Sequence, residues 1–267
     1  MAHQTIDIIP GTSFAIVHDI DEPKTIHFKL HNHDDIYEIV FVQTGDCEFY
    51  VEGNSYRLKA HDICCTRPFE LHQMTFLSDQ TYDRIVLYLK SEFFIENNCT
   101  EFLALFQNRQ LGTGNVVDGE ENPAAADCIR RLYGYYEEQE YSVMNHVIIE
   151  LLYLLNRSQS ADKFYTHNER IRNIIMYINR HLTEPITLDA LAQRFFIDKH
   201  YLCKVFKKCT GHTISQYVNY KRILLVQEMR RSGQSLLQAS MNAGFNSYAH
   251  FYKMYVKQMG HSPKDMN

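Results

Sequence analysis

Four side chains able to hold a cation or a polar ligand fall early in the chain: His31, His33, Glu38 and His72. His31 and His33 are two residues apart, and on an extended strand that spacing turns both rings to one face. Pairing between strands can bring Glu38 and His72 alongside them. Three imidazoles and a carboxylate suit Fe, Mn, Ni or Zn. The same four suit a polar effector pocket that needs no metal, and this is the expectation. The alternative makes them metal ligands, and this half a metal-dependent enzyme fused to the C-terminal part. Tyr37, Tyr50 and Tyr56 lie near in sequence and suit stacking on a sugar ring, although aromatic strand residues more often serve a core.

A second constellation lies in the last hundred residues and occurs twice. After Asp198, the residues Leu202, Val205, Phe206 and Cys209 follow the i, i+3, i+4, i+7 pattern of a buried helix face. Lys199, His200, Cys203, Lys204 and Lys207 then form the opposite stripe. Later in the chain Phe251, Met254 and Tyr255 repeat the apolar face, and Tyr248, Ala249, Tyr252 and Lys253 the outward one. Lysine donates to guanine edges or phosphates, and alanine touches a thymine methyl. Each helix follows a shorter one, Leu188–Ala192 or Leu236–Ser240, which makes two helix-turn-helix units. Thr187, Asp198, Ser235 and Ser247 stand where N-caps belong. A long helical run over 216–231 joins the units, and its Lys221, Arg222, Arg230 and Arg231 are candidate phosphate contacts or plain surface.

Charge separates the two constellations. The chain has 267 residues and a net charge of −5, composed of −15 over residues 1–162 and +10 over 163–267. A basic part on an acidic remainder implies a nucleic-acid partner for one domain only. There is no apolar run of membrane-spanning length and no secretory leader pattern, so a cytoplasmic protein with no membrane partner is expected. Seven cysteines lack zinc-finger spacing and are expected to be reduced and mostly buried; the adjacent Cys64 and Cys65 should face opposite ways on a strand. No cofactor is expected.

These sites need elements to position them. Residues 12–90 alternate apolar and polar between tight turns at 44–46 and 52–54, with strands over 37–42, 47–51 and 83–89. Such spacing predicts a sandwich or barrel of the jelly-roll type. A helix is expected near 93–106. A further one opens at Pro123 with Ile129, Leu132, Tyr133 and Tyr136 on one face, and another carries Val143, Val147, Leu151, Leu154 and Leu155. These two pack on the barrel or pair with a second subunit. The fold class is therefore α+β: an N-terminal β-barrel with flanking helices over 1–157, a linker over 158–166 where the charge changes sign, and an all-α domain of two helix-turn-helix units over 167–267.

Residues 168–266 resemble the DNA-binding domain of the AraC/XylS family of bacterial transcription regulators. The segments Ile186–Ala192, Tyr201–Gly211, Ala243–Ser247 and Gly260–Pro263 carry the likeness. It implies two recognition helices in adjacent major grooves of double-stranded promoter DNA. One departure is Phe196, where a turn glycine is usual. In the N-terminal half, His31, His33, Glu38 and Gly45 keep the H-x-H-x4-E-x6-G spacing of the first cupin motif, and Pro68 and His72 fall near the second. This half resembles the small cupin barrel that such regulators carry. That implies binding of a small-molecule effector, often a sugar, and a homodimer. An activator would also meet RNA polymerase.

Overall fold

The computed structural model describes residues 6–22, 28, 30–33, 35–158, 169–210, 212–259 and 261–263. The chain divides into two compact units between His167 and Asn168. Of the expected linker, Ser158 closes a helix and residues 159–166 lie outside the described residues.

The first unit holds strands β1 (Phe14–Asp21), β2 (Ile36–Thr44), β3 (Cys47–Val51), β4 (Asn54–Leu58), β5 (Ile63–Thr66), β6 (His72–Phe76), β7 (Tyr82–Lys90) and β8 (Val116–Val117). They form a five-stranded sheet, β1-β7-β2-β5-β8, and a three-stranded sheet, β4-β3-β6. Every pairing is antiparallel. Period two decides which side each residue serves. Tyr37, Ile39, Phe41, Ile85, Leu87 and Leu89 face one core, while Val40, Val42, Val86 and Tyr88 face another with Phe49, Val51 and Met74 of the smaller sheet. Cys65 belongs to the first core and Cys64 to the second, as their adjacency on a strand requires. A central strand buried on both faces reads as a continuous apolar run, which is what Ile39–Val42 and Ile85–Leu89 are.

Helices α1 (Ser91–Glu96), α2 (Ala104–Gln107), α3 (Pro123–Glu137) and α4 (Tyr141–Arg157) supply the rest of the first core. The single helix expected near 93–106 is broken instead. Asn98 takes φ 50 after α1, and a 3-10 turn, Thr100–Leu103, precedes α2. A residue in the left-handed region ends a helix. In α3, Ile129 and Leu132 are buried, and in α4, Val147, Leu151 and Leu155. Val143 is exposed, and Met144 takes the buried place beside it. The marked faces of both helices therefore pack into the core of their own unit.

The second unit is all helix: α5 (Glu169–Arg180), α6 (Leu188–Arg194), α7 (Lys199–Thr210), α8 (Ile214–Arg231), α9 (Leu236–Asn242) and α10 (Tyr248–Met259). All four expected caps form. Thr187 accepts from Ala190 N, Asp198 from Tyr201 N, Ser235 from Gln238 N and Ser247 from His250 N. Thr213 and Gln216 add a capping box that starts α8 two residues earlier than the apolar pattern shows. Ile223, Val226, Ala239, Phe245, Phe251 and Tyr255 form the core of the second repeat. No helix among the described residues is long and apolar enough to cross a membrane.

Candidate functional site

The barrel gathers all four residues of the first constellation. His31 and His72 form an isolated antiparallel bridge, with His31 N donating to His72 O at 3.0 Å and His72 N to His31 O at 2.8 Å. Their rings lie 4.4 Å apart, and the His33 ring lies 5.2 Å from His31 and 5.5 Å from His72. One ligand nitrogen from each of the three histidines falls within 4.8 Å of the others. Glu38, on the inward face of β2, places Oε2 2.9 Å from His72 Nε2 and 3.8 Å from His33 Nε2.

His72 Nδ1 donates to the Glu70 carbonyl at 2.8 Å, since a carbonyl only accepts. In the neutral ring this leaves the Nε2 lone pair turned into the cluster. At 2.9 Å from Glu38 Oε2, a protonated His72 Nε2 makes a buried ionic contact with the carboxylate, and His33 Nε2 stands farther off at 3.8 Å. Burial alone would raise the Glu38 carboxyl, but the His72 and His33 imidazoles outweigh it and hold the group well below its ordinary range. Burial would likewise lower His72, yet the Glu38 carboxylate beside it raises it. A buried ion pair between His72 Nε2 and Glu38 Oε2 is thus formed at the cost of desolvation.

Several residues around the cluster carry no motif. Tyr88 and Thr66 are the cross-strand partners of Glu38, and Thr66 Oγ1 donates to Glu38 Oε2 at 3.2 Å. The Tyr88 ring lies 5.8 Å from His33, and the Phe49 ring 6.1 Å from His72. Two of the three tyrosines serve the framework, the commoner role of aromatic strand residues. Tyr37 points to the other face of β2, among Phe94 and Phe106, and Tyr56 donates its hydroxyl to Gly112 O at 3.0 Å. Tyr50 is buried on β3. Glu70, fully buried, accepts from Nη1 and Nη2 of Arg109 at 2.6 Å each, from Gly112 N at 2.9 Å and from Asn115 Nδ2 at 3.0 Å. Burial raises its carboxyl, but Arg109 outweighs that and lowers it.

The second constellation is presented as two helix faces. On α7, Leu202 and Phe206 are buried and Val205 and Cys209 partly so, while Lys199, His200, Cys203, Lys204 and Lys207 are exposed. On α10, Phe251 and Tyr255 are buried, Ala249, Tyr252 and Lys253 exposed, and Tyr248 half-buried. Among the described residues, Lys199 is the member of these stripes with an ion-pair partner, Asp189 of α6. Two candidate phosphate contacts are corrected. Lys221 is 6% and Arg222 9% exposed. Arg222 donates from Nε to Leu182 O at 2.8 Å and from Nη2 to Glu184 O at 2.7 Å, which makes it an internal brace between α8 and the segment after α5. Arg230 and Arg231, at the end of α8, are exposed.

Comparison with known proteins agrees with both halves. A model of the AraC-like ligand binding domain matches residues 15–155, and one of a helix-turn-helix domain matches 191–267. The HTH-type transcriptional activator RhaS of Escherichia coli O81 (strain ED1a) is 22% identical over 270 residues, covering 98% of this chain and 95% of its own. Among solved structures, ToxT from Vibrio cholerae O395 aligns over 95% of this chain and 96% of its own, with 13% identity and a TM-score of 0.40. The DNA-binding domain of AdpA in complex with a target DNA covers 36% of this chain and 86% of its own, with 23% identity and a TM-score of 0.34. Since the ligand-binding match alone takes in more than half of the sequence, this chain belongs to the AraC family of transcription regulators, with a ligand-binding domain followed by a DNA-binding helix-turn-helix domain.

Proposed function

We propose that the protein reads double-stranded promoter DNA with α7 and α10, and that a small polar metabolite, a sugar or a close relative, controls this reading from the cluster of His31, His33, Glu38 and His72. The observation that carries the DNA half is the repetition itself: in both units the stripe opposite the buried face stands at the surface. Lys204 donates to guanine, Ala249 meets a thymine methyl, His200, Cys203, Tyr248 and Tyr252 make the remaining edge contacts, and Lys199, Lys207 and Lys253 serve phosphates or bases. The convergence of three imidazoles and a buried carboxylate supports the effector half, because such groups hydrogen-bond the hydroxyls of a polar ligand. The effector regulates only through different affinity for two states of the protein. The protein works in the cytoplasm as a homodimer, and meets RNA polymerase if it activates.

The test is duplex binding across a salt series together with thermal shift of the full chain against sugars. Replacing Lys204 and Lys253 by Ala should lower affinity and flatten the salt slope. Retained affinity with an unchanged slope would sink the DNA assignment. A stabilising sugar whose effect disappears in His72→Ala supports the effector site.

One observation favours a second reading, in which the cluster holds a metal. Around one ion bound at ~2.1 Å, nitrogens in a tetrahedral set stand ~3.4 Å apart, so the three imidazoles need only a modest inward shift from their 4.8 Å envelope. The carbonyl bond at His72 Nδ1 is also the kind of support that orients a ligand ring. His31, His33 and His72 would hold the ion with Glu38 beside them, and it would supply Lewis-acid chemistry. Stoichiometric metal in the purified protein, lost in His72→Ala, distinguishes this reading from the first.

A further inference from the structure

Within the first helix-turn-helix unit, the basic stripe has a rival for one of its charges. Asp189 lies two residues after the Thr187 cap of α6, and its Oδ1 contacts Nζ of Lys199, the first residue of α7. Both side chains are well exposed, 75% for Asp189 and 50% for Lys199. Among the described residues, the second unit has no such pair at the equivalent places. Two residues after the Ser235 cap stands Leu237, and the first residue of α10 is Tyr248.

We propose that Asp189 sets the affinity of the first reader by holding Lys199 away from DNA until phosphate competes for it. This rests on the DNA-binding role of α7 proposed above. In a helix-turn-helix unit the second helix enters the major groove by its N-terminal residues while the first crosses the backbone. Both members of the pair then lie close to phosphates. A lysine that neutralises a phosphate releases condensed counterions, which gives the binding its salt dependence. A lysine already matched by a carboxylate releases fewer. It must first leave its partner, and the carboxylate left behind repels the backbone. An exposed pair is weak enough to exchange, so Asp189 acts as a throttle and not as a lock.

A double-mutant cycle tests this, using fluorescence anisotropy of a labelled random-sequence duplex of about 30 base pairs between about 50 and 200 mM salt. Full-length wild type, Asp189→Asn, Lys199→Ala and the double variant are compared, with Lys204→Ala as reference. Asp189→Asn should bind about three- to tenfold tighter at the low-salt end, with a slope steeper by about 0.9. Lys199→Ala should cost less than about twofold in the wild-type background and about fivefold or more in the Asn background. Unchanged affinity and slope in Asp189→Asn, or an equal cost of Lys199→Ala in both backgrounds, overturns the proposal while leaving DNA binding intact. The absence of any salt-sensitive affinity in wild type, with Lys204→Ala indistinguishable from it, overturns the DNA-binding role and the proposal together. Unaltered hydrogen exchange across α6 and α7 in each variant separates these results from misfolding.

Discussion

Phe196 joins α6 to α7 at φ 48, with 91% of its surface exposed. The corresponding turn of the second repeat has Gly244 at φ 93. A Cβ in the left-handed region costs about 1–2 kcal/mol. Glycine removes that cost but gives back about 0.5–1 kcal/mol through the greater freedom of the unfolded chain. The ring itself is almost wholly in solvent, so its removal changes stability by no more than about 0.5 kcal/mol. The comparison that isolates the backbone is therefore Phe196→Gly against Phe196→Ala. The glycine variant should be the more stable by about 0.5–1 kcal/mol. Native-state hydrogen exchange of amides in α6 and α7, measured in the full chain, reads this as roughly two- to fivefold slower exchange. Gly244→Ala is the opposite control: its Cβ would stand 2.7 Å from Thr183 O, so strain and clash add and that variant should lose stability. Should the Phe196→Gly protein exchange as fast as Phe196→Ala, or faster, the left-handed turn carries no strain and the argument fails.

Two more outcomes follow from buried charges. Arg222→Ala removes the donor to Leu182 O and Glu184 O and should cost about 2–3 kcal/mol by denaturant unfolding, while the salt slope of DNA binding stays unchanged; a slope lower by about one would instead restore Arg222 as a phosphate contact. For Glu38, the lowered carboxyl contributes stability above its ordinary value of about 4.3, lost as pH falls through the folded value, and the raised His72 contributes below about 6.5, lost as pH rises through its folded value. The pair is thus strongest between about pH 4.3 and 6.5. Calorimetry in chelator-treated buffer should show Glu38→Gln falling furthest below wild type near pH 5.5 and the gap narrowing by about pH 8.5. An equal gap at both pH values would contradict the ionic reading of the Glu38–His72 contact.

What was legible in the sequence was whatever repeats with a short period. The α7 and α10 faces follow from 3.6-residue spacing, and each buried member pulls its neighbours into place within one helix. His31 and His33 follow from period two, and the caps from a hydroxyl or carboxylate standing before an apolar run. Arg222 broke that logic. As a cation on a long polar-looking helix it read as surface, but its partners are carbonyls 38 and 40 residues away, and no local pattern reports an unsatisfied carbonyl. Tyr37 was open between stacking and core, and period two settles it: next to Glu38 in sequence, it lies on the opposite face of the same strand.

The deeper gap concerns what holds the cluster in shape. His72 owes its ring orientation to the Glu70 carbonyl, and the Glu70 side chain binds Arg109, Gly112 and Asn115, all some forty residues on. Glu70 is a carboxylate at a bend before a strand, and in the sequence it is indistinguishable from a solvated turn residue. Only the fold shows that its side chain is fully buried and that one residue serves both the segment 109–115 and the histidine cluster. Interior polar groups are costly unless satisfied, and here the main chain and the side chain of one residue satisfy partners in two different places. The route from the cluster into the rest of its unit runs through residues that carry no motif at all.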